Sequence, residues 1–316
     1  MTGALLMLAS MLVESLVGWP SRLYQTIRHP VVWMGALISA LDDNLNNEKS
    51  TDRVRYVLGA VTAIAVIALS TVCGIGISVL LPDTGVGFAA EAIIASSLIA
   101  TRSLYTHVDA VAKPLAAGDI DAARRSVSHI VGRDTSQLDA TGISRASLES
   151  LAENSSDGVV APIFWGVLFG LPGIAAYKAV NTLDSMIGHM SPRHRAFGWA
   201  SAKLDDLANF IPARLTAAYL IAASGTMRAI RTVFADAGKH RSPNAGWPES
   251  ALAGSVGIRL SGPRLYGGEL NKEPWLNGSS PDPDARSLRQ GLRLYVGAMA
   301  LVAVTLLMLA AIGSLL

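Results

Sequence analysis

The sequence predicts an all-α fold: a polytopic helical membrane protein with helical and irregular cytoplasmic loops. Of its 316 residues, 51% are hydrophobic and only 16% are charged, whereas a soluble domain has about 25% charged residues. Two apolar runs are long enough to cross a membrane without a charge, and the sequence contains no evident strand pattern or internal repeat. Much of the surface is therefore expected to face something other than water.

The predicted spans follow from the lengths of the apolar runs. A helix rises about 1.5 Å per residue, so crossing about 30 Å of hydrocarbon takes about 20 residues. Residues 57–81 and 294–316 meet this requirement without a charge, and residues 3–18 and 86–101 are shorter candidates. Each of the last two contains one glutamate near an end, where its carboxylate reaches the interface. No Lys or Arg precedes the run 3–18, so this run is interpreted as a retained span rather than a cleaved signal.

Three further apolar segments, 30–41, 158–180 and 211–223, are predicted to be membrane-associated or re-entrant. The segment 158–180 is long enough to cross, but Pro172 and Gly173 interrupt its helix. Either 158–180 and 211–223 both cross the membrane, or 158–180 dips in and returns at the Pro-Gly break. The second arrangement is favoured because it keeps all the polar motifs on one side.

Basic residues orient the chain. Lys49 and Arg53 precede the 57–81 span, and Arg289 and Arg293 precede the last span. Because Lys and Arg are in excess on the cytoplasmic side of membrane proteins, the chain is predicted to be a multi-pass protein of the cell (inner) membrane. The loops predicted to be cytoplasmic and to carry the active residues are 102–157, 181–210 and 225–291. Asp119 is predicted to open a helix in the first loop, and the third loop is predicted to begin helical and become irregular.

Composition excludes several classes of function. The net charge of +2 gives no strong field to recruit nucleic acid. Cys73 is the only cysteine, so no disulfide can form within the chain and a cysteine-based metal site is not expected. The sequence has no P-loop, GxSxG or HExxH motif. Residues 1–316 are treated as a single membrane-embedded domain.

The polar loops contain the residues that could carry chemistry. Glu149 and Glu153 are spaced i,i+4 on one helical face, and Asn154 and Asp157 follow one turn apart. Like charges at this spacing repel unless a cation is bound, and Mg²⁺ commonly takes one or two carboxylates together with substrate phosphate oxygens. The alternative is a solvated acidic turn that ends at Asp157-Gly158.

A second group lies between 178 and 189. Lys178, Asn181 and Ser185 share one helical face near Asp184, and a lysine beside amide and hydroxyl groups can hold phosphate or stabilise developing negative charge. His189 could serve as a general base, although a surface histidine after a helix-ending glycine is the favoured interpretation.

A third group contains Lys203, Asp205, Asp206, Asn209 and Arg214. Adjacent acids at a membrane surface suggest a metal ion or a cationic group. The alternative is the N-terminus of a helix, where the helix dipole favours acids.

Two shorter stretches complete the candidates. Arg133 follows Gly132 in the stretch 131–135, and its planar guanidinium can bind phosphate through two parallel hydrogen bonds. The alternative is a helix C-cap at Gly132. In the stretch 239–249, Ser242 or Asn244 could start a turn and Trp247 could stack on a flat ligand, while a purely structural loop is the alternative.

Taken in order along the chain, these stretches resemble the adenosylcobinamide-phosphate synthase family of cobalamin biosynthesis, the CobD/CbiB type. The similar motifs are 131–135, 145–154 with 157–158, 177–186, 197–206 with 211–215, and 242–248. His29-Pro30-Val31 and the hydrophobic C-terminus are also similar, so the resemblance covers nearly the whole chain. His189 departs from the family pattern, in which a tyrosine is expected, and this argues against an essential role for His189.

The resemblance implies an acid–amine ligase that acts at the membrane. Such an enzyme joins adenosylcobyric acid to (R)-1-amino-2-propanol or its O-phosphate through an amide bond, with ATP and Mg²⁺ as cofactors. The implied partners are these small molecules, membrane lipid and other membrane enzymes of the corrinoid pathway, with no nucleic acid. A non-catalytic corrinoid-binding or transport protein and a membrane scaffold are the competing interpretations.

The resemblance also implies roles for the candidate residues. The catalytic candidates are Glu149, Glu153, Asp157, Asp184 and Lys178. The candidates for binding substrate or phosphate are Arg133, Asn154, Asn181, Lys203, Arg214, Asn244 and Trp247. The candidate metal ligands are Glu153, Asp157, Asp205 and Asp206.

Overall fold

The computed structural model describes residues 2–19, 25–132, 134–266, 269–271 and 273–315. It is 75% helical with almost no strands, which confirms the all-α prediction. The helices are α1 Gly3–Val17, α2 Pro30–Leu45, α3 Asp52–Leu80, α4 Gly85–Ser96, α5 Thr101–Ala116, α6 Ile120–Val127, α7 Ala140–Ser155, α8 Ala161–Ile187, α9 Trp199–Ala208, α10 Phe210–Ser224, α11 Met227–Asp236, α12 Gly246–Val256 and α13 Ala285–Gly313. A π-turn, Ser156–Val160, joins α7 to α8, and a 3-10 turn, Ala237–Lys239, follows α11.

The chain divides into two compact units, which we describe separately. The first unit consists of Met1–Ala100, Ala161–Asn209 and Thr305–Leu316, and the second of Thr101–Val160 and Phe210–Val304. The description of residues 1–316 as a single domain remains a prediction.

Helices α3 and α8 form the centre of the first unit, with α2 and α9 packed against them. Its core contains Ile38 of α2, Val66 of α3, Leu183 of α8 and the loop residue Phe197, all fully buried. Gly59 of α3 permits this packing, because a Cβ at position 59 would overlap the backbone carbonyl of Phe197.

A buried polar cluster ties the loop before α9 to α2 and α3. Asp42 accepts hydrogen bonds from Asn46 Nδ2 at 2.8 Å and from Arg193 Nη2 at 2.9 Å, and His194 Nε2 lies 3.2 Å from its carboxylate. Arg55 donates from Nε to Asn46 Oδ1 at 2.9 Å. Because every one of these charged groups has a partner, the cluster fixes the loop that leads to α9.

Helix α8 is broken near its middle, as the Pro-Gly step predicts. Gly170 has φ 65 and ψ −151, a conformation that L residues rarely adopt. A Cβ at Gly173 would overlap the carbonyl oxygen of Trp165 and lie 2.6 Å from Phe169 Cβ. Residues 165 and 173 would be about 12 Å apart along an unbroken helix, so the two halves of α8 fold back on each other at this point.

In the second unit, α6 and α7 begin at aspartate caps. Asp119 accepts a hydrogen bond from Ala122 N at 2.9 Å, which confirms the predicted helix start, and Ala123 and Val127 are fully buried. The helix ends at Val127, and Ser128 is its C-cap. Asp139 caps α7 in the same way, through Gly142 N at 2.7 Å.

The third polar loop is more ordered than predicted. It contains α12, with Pro248 in the first turn. Backbone N–H groups in a first turn have no partner within the helix, so proline removes no helical hydrogen bond there. Short antiparallel ladders also occur: β1 Leu260–Ser261 pairs with β4 Trp275–Leu276, and β2 Arg264–Tyr266 pairs with β3 Glu269–Asn271. Strands of two or three residues leave no alternating pattern in the sequence.

Four helical segments among the described residues are long and apolar enough to cross a membrane, and up to five if the helices flanking Asn209 count as one span. They are Asp52–Leu80, Gly85–Ala116, Ala140–Ile187 and Ala285–Gly313. These segments contain the predicted spans 57–81 and 86–101 and most of 294–316, whereas α1 is a shorter apolar helix. The re-entrant or interfacial placement of 30–41, 158–180 and 211–223 stays a prediction.

Candidate active site

The acidic face of α7 opens into a cavity of about 340 Å³ in the second unit. Glu149 and Glu153, one helical turn apart, both line it, as their spacing predicts. Two stretches that are distant from α7 in sequence form the remaining walls. The lining residues are Ile130, Val131, Gly132, Ala146, Glu149, Ser150, Glu153, Asn154, His240, Arg241, Ser242 and Glu249. The structure therefore brings Val131 and Gly132, the 149–154 stretch and the 239–249 stretch to one place.

The two carboxylates of α7 have different surroundings. Glu149 is buried, and its Oε1 accepts a hydrogen bond from Ser261 N at 2.8 Å. The carboxylate of Glu149 is thereby held by a backbone group before any ligand binds. Glu153 is exposed, so it can approach a bound cation with little loss of hydration.

Ser150 and Asn154 support the wall of the cavity. Ser150 Oγ donates to the carbonyl of Ile130 at 2.8 Å, which fixes the 130–132 stretch against α7. Asn154 Nδ2 donates to the carbonyl of Ser150 at 2.9 Å. The carboxamide oxygen of Asn154 is the atom that remains suited to a ligand.

The loop that precedes α12 supplies another part of the wall. His240 Nδ1 accepts a hydrogen bond from Ser242 N at 3.0 Å, so a neutral imidazole carries its proton on Nε2. That nitrogen lies 3.7 Å from Glu249 Oε1, and both side chains are buried. Ser242 Oγ accepts from Ala245 N at 3.1 Å, which confirms Ser242 as a turn residue.

A chain of polar contacts links this loop to Glu149. Arg241 Nε lies 3.3 Å from Glu273 Oε1, and Ser261 Oγ lies 3.4 Å from Glu273 Oε2. Ser261 is also the residue whose N–H binds Glu149. The cavity lining therefore includes a cation, Arg241, that pairs with Glu273, as well as the α7 carboxylates, a combination suited to a ligand with both negative groups and a bound metal.

Asp157 does not line this cavity. It lies in the π-turn Ser156–Val160, whose wider turn changes the spacing expected from an α-helix. The alternative of an acidic turn ending at Gly158 is wrong, because the helical chain continues through Gly158 into α8.

Three predicted binding residues form a second cluster in the same unit. The guanidinium carbon of Arg214 lies 3.7 Å from the centroid of the Phe210 ring and 4.4 Å from the Trp247 ring. Arg214 Nη1 also donates to Asn244 Oδ1 at 3.3 Å. One face of Trp247 is thus covered by a cation, and the cluster presents a positive charge next to an aromatic surface.

The first unit holds the other acidic group. Asp184 of α8 interacts electrostatically with Asp205 and Asp206 of α9. Asn209 Nδ2 donates to Asp205 Oδ2 at 3.0 Å, as the i,i+4 spacing predicts, and Lys203 Nζ donates to Asp206 Oδ2 at 3.1 Å.

The position of these acids in α9 corrects one alternative. Asp205 and Asp206 lie in the last turn of Trp199–Ala208, not in the first. At a C-terminus the helix dipole disfavours negative charge, so the dipole does not account for the pair. Tyr177 Oη donates to Asn209 Oδ1 at 2.9 Å, which connects α8 to the same group.

Lys178 lies near His29, the N-cap of α2. Burial, followed by the positive charge of Lys178, lowers the pKa of His29, while a backbone hydrogen bond with Ser97 raises it. His29 Nδ1 accepts from Val31 N at 3.3 Å. His189 is exposed just after α8 ends, as its interpretation as a surface histidine predicts.

Comparisons with known proteins identify the family. The sequence model described as CobD/Cbib protein matches residues 7–295. The chain is 52% identical over 301 residues to the cobalamin biosynthesis protein CobD of Rhodobacter capsulatus, covering 95% of each chain. It is 43% identical over 304 residues to that of Brucella suis, covering 93% of this chain and 92% of the relative. No solved structure matches it. The chain belongs to the CobD/CbiB family.

The residues that match the CobD/CbiB family model include both charged groups. One group lines the cavity of the second unit, and the other is the acidic cluster of the first unit. Glu153 and Asp157 belong to the second unit, whereas Asp205 and Asp206 belong to the first. No group of three or more His, Cys, Asp or Glu residues in the described part of the chain is arranged to hold a metal ion. Arg133 lies outside the described residues.

The cavity of this CobD/CbiB protein also contains residues that the sequence analysis did not select individually. His240, Arg241 and Glu249 line it, and Glu273 contacts Arg241. The density of special residues in 239–249 indicated a fixed loop, but not which side chains point inward. Glu273 had no sequence signal, because its position depends on the β1–β4 ladder that flanks it.

Proposed function

We propose that the chain is an ATP-dependent acid–amine ligase of cobalamin biosynthesis. It would join adenosylcobyric acid to (R)-1-amino-2-propanol or its O-phosphate, giving adenosylcobinamide or its phosphate. The observation that carries the proposal is the polar cavity of the second unit, where two α7 carboxylates face a loop bearing Arg241 and His240. Membership of a family whose relatives are named cobalamin biosynthesis proteins supplies the pathway.

The size of the cavity favours a small ligand, and a bound cation would offset the charge of its three glutamates so that phosphate groups could enter. About 340 Å³ accommodates roughly eleven water molecules at about 30 Å³ each. A triphosphate or a phosphorylated amino alcohol is of this size, whereas a corrin ring is much larger. We therefore assign the cavity to phosphate chemistry, and the Arg214, Asn244 and Trp247 cluster to a contact with the bulky corrinoid.

Mg²⁺ fits the donor set of the cavity. A magnesium ion commonly binds one or two protein carboxylates and fills its other positions with water and phosphate oxygens, so a cluster of three acids is not required. Glu153 and the fixed Glu149 would hold it, with the Asn154 oxygen as a further donor. When bound, the ion would neutralise charge on the transferring phosphate.

The proposed chemistry explains why such a site is needed. A carboxylate resists attack by an amine because oxide is a poor leaving group. Transfer of the γ-phosphoryl group of ATP to the substrate carboxylate releases ADP and creates an acyl phosphate. The neutral amine then attacks the carbonyl carbon, phosphate leaves, and the amine loses a proton to a base. Arg241 is suited to stabilise the phosphate charge, as is Arg133.

The first unit supplies the remaining roles in this proposal. Asp184 is the candidate acceptor of the amine proton, and Lys178, Asn181 and Lys203 are the candidates for binding phosphate or a substrate carboxylate. Asp205 and Asp206 are further candidate ligands for a cation. Asp157, three residues after Asn154 in the chain, is a further candidate catalytic residue and metal ligand.

The proposed location is the cell (inner) membrane, with the polar loops in the cytoplasm. The long apolar helices support residence in a membrane, and the basic residues that precede the apolar stretches of α3 and α13 support the orientation. Residence there would allow the product to pass to other membrane enzymes of the corrinoid pathway.

Turnover by purified protein tests the proposal. Detergent-purified protein would receive adenosylcobyric acid, aminopropanol O-phosphate, ATP and Mg²⁺, and the corrinoid would be analysed by mass spectrometry. We expect a mass increase that matches the amide and that disappears without ATP. Retained corrinoid binding with no product from folded protein would instead favour a non-catalytic corrinoid-binding protein, and uptake by vesicles would identify a transporter.

A further inference from the structure

The second unit contains another cavity, of about 560 Å³, between residues of α5 and α13. Its lining includes Tyr105, Lys113, Arg289, Leu292 and Arg293. None of these residues has a role in the proposed reaction, so the cavity needs a separate explanation.

The lining of this groove is positive at one end and apolar at the other. Three cations, Lys113, Arg289 and Arg293, face one carboxylate, that of Asp109, which lies 2.6 Å from Lys113 Nζ. The cationic end therefore retains a positive charge. Val296, one turn beyond Arg293, lines the apolar end, and the buried Leu292 lies between the two arginines in sequence.

The change from positive to apolar coincides with the expected membrane boundary. Arg289 and Arg293 are both exposed near the start of α13, and the helix carries no charge from residue 294 onward. Val296, one turn after Arg293, is 52% exposed although it is apolar. Tyr105 is 37% exposed on α5, and tyrosine is enriched where a membrane meets water.

We propose that this groove binds an anionic phospholipid of the surrounding membrane. The lipid phosphate would contact Arg289, Arg293 and Lys113, and its acyl chain would lie along Tyr105 and Val296. Basic pockets between helices on the cytoplasmic side are suited to anionic headgroups. A soluble phosphate could use the cationic end, but it would gain nothing from the apolar end.

The test uses the full-length protein in nanodiscs of phosphatidylcholine with phosphatidylglycerol as the probe, and native mass spectrometry to count bound anionic lipid. The double variant Arg289→Gln/Arg293→Gln should bind the probe about tenfold more weakly, because each basic residue at an anionic surface contributes substantially to binding. Arg289→Lys/Arg293→Lys should retain most of the binding, since a headgroup phosphate accepts a point charge.

The matched control is Arg53→Gln/Arg231→Gln, which removes the same charge from exposed positions outside the groove. We expect the control to bind the lipid like the wild type. Equal loss in the control would mean a general surface field, and equal binding by Arg289→Gln/Arg293→Gln would mean that the groove holds no lipid. Displacement of the lipid by millimolar inorganic phosphate would assign the site to a soluble anion. Each of these three results overturns the proposal.

Discussion

At the scale of single residues, Glu149 and Glu153 show how one sequence pattern yields two different environments. Glu149 is 6% exposed and its carboxylate is held by Ser261 N, whereas Glu153 is exposed within the cavity. A fixed carboxylate can position a ligand without reorganising, and an exposed one can bind a cation without a large desolvation cost. We therefore regard Glu153 as the better candidate for direct contact with metal.

Replacing Glu153 tests this role. We expect Glu153→Gln to lower the turnover number by about 100-fold or more, because a group that stabilises charge in a transition state typically contributes that much. The melting temperature should hardly change, since the side chain is exposed. Asp121→Asn on α6 is a matched control, because its carboxylate is exposed and pairs with Arg124 on the same helix. Wild-type turnover in Glu153→Gln would remove this residue from the site.

Gly188 tests the position of Asp184. A Cβ at position 188 would overlap the Asp184 carboxylate and approach its backbone oxygen to 2.7 Å. We expect Gly188→Ala to displace that carboxylate and lower turnover about 100-fold, the cost of a displacement of about 1 Å in a site. Gly76→Ala on α3 is the control, since no atom lies within 4 Å of the added methyl group. Full activity in Gly188→Ala, measured on folded protein, would contradict a catalytic role for Asp184.

Asp42 gives a prediction about pH. Burial alone would raise its pKa, but hydrogen bonds from Asn46, Arg193 and His194 outweigh burial and hold the pKa below the usual 3.8. The unfolded chain therefore takes up this proton more readily than the folded chain. The stabilisation is fully present above pH 3.8 and is lost as the pH falls through the lower folded value.

Thermal melts between pH 3 and pH 7 would measure this effect. We expect Asp42→Asn to be less stable by about 2 kcal/mol at pH 7, the contribution of hydrogen bonds to a charged group. The difference from the wild type should shrink toward pH 3, because the carboxyl of the unfolded wild-type chain then takes up a proton that the folded chain binds less readily. A difference that stays constant over this range would mean that the charge of Asp42 is not what stabilises the cluster.

At the scale of elements, the sequence predicts best where a signal is local. Asp119 marks the start of α6, and the i,i+4 acids of α7 share a face, because caps and helical spacing depend only on nearby residues. The same reasoning failed at α12, where Pro248 indicated a loop although proline is acceptable in a first helical turn. It also missed the π-turn at Ser156–Val160, since an added residue per turn leaves no signature in the pattern.

The break in α8 leads to a prediction about topology. Its apolar first half, up to Phe169, is too short to cross about 30 Å, and the second half folds back on it at Gly173. We expect position 185, after this return, to lie in the cytoplasm. A cysteine at Ser185 in a Cys73→Ser background should resist a membrane-impermeant thiol reagent that is applied to the outside of intact cells.

Two further cysteines calibrate that experiment. A cysteine that replaces Asp83, in the exposed turn between α3 and α4, should react with the reagent applied from outside. A cysteine that replaces Glu48, before α3, should not react. Reaction of the Ser185→Cys variant from outside, with both controls behaving as expected, would show that 158–180 crosses the membrane completely.

At the scale of the whole molecule, the sequence located the charged groups but could not show which of them meet. Glu149 lies more than 90 residues from Arg241, and only the fold brings them to one cavity. Glu273 and Glu249 enter the site through long-range packing, for which a single sequence has no local signal. The division into two units shows that Glu153 and Asp206, grouped as metal ligands by their chemistry, belong to separate compact parts of the chain.

Ligand-dependent stability can decide which unit binds the nucleotide. A ligand that binds only the folded protein stabilises it, by about 2.7 kcal/mol at 100 times its dissociation constant. We expect Mg²⁺ and ATP to raise the melting temperature of the wild type. The increase should disappear in Glu153→Gln, whose cavity loses a metal ligand, and persist in Asp184→Asn, which should still bind nucleotide while turnover is lost. The reverse pattern would place the nucleotide site in the first unit and leave the second-unit cavity to the amino alcohol phosphate.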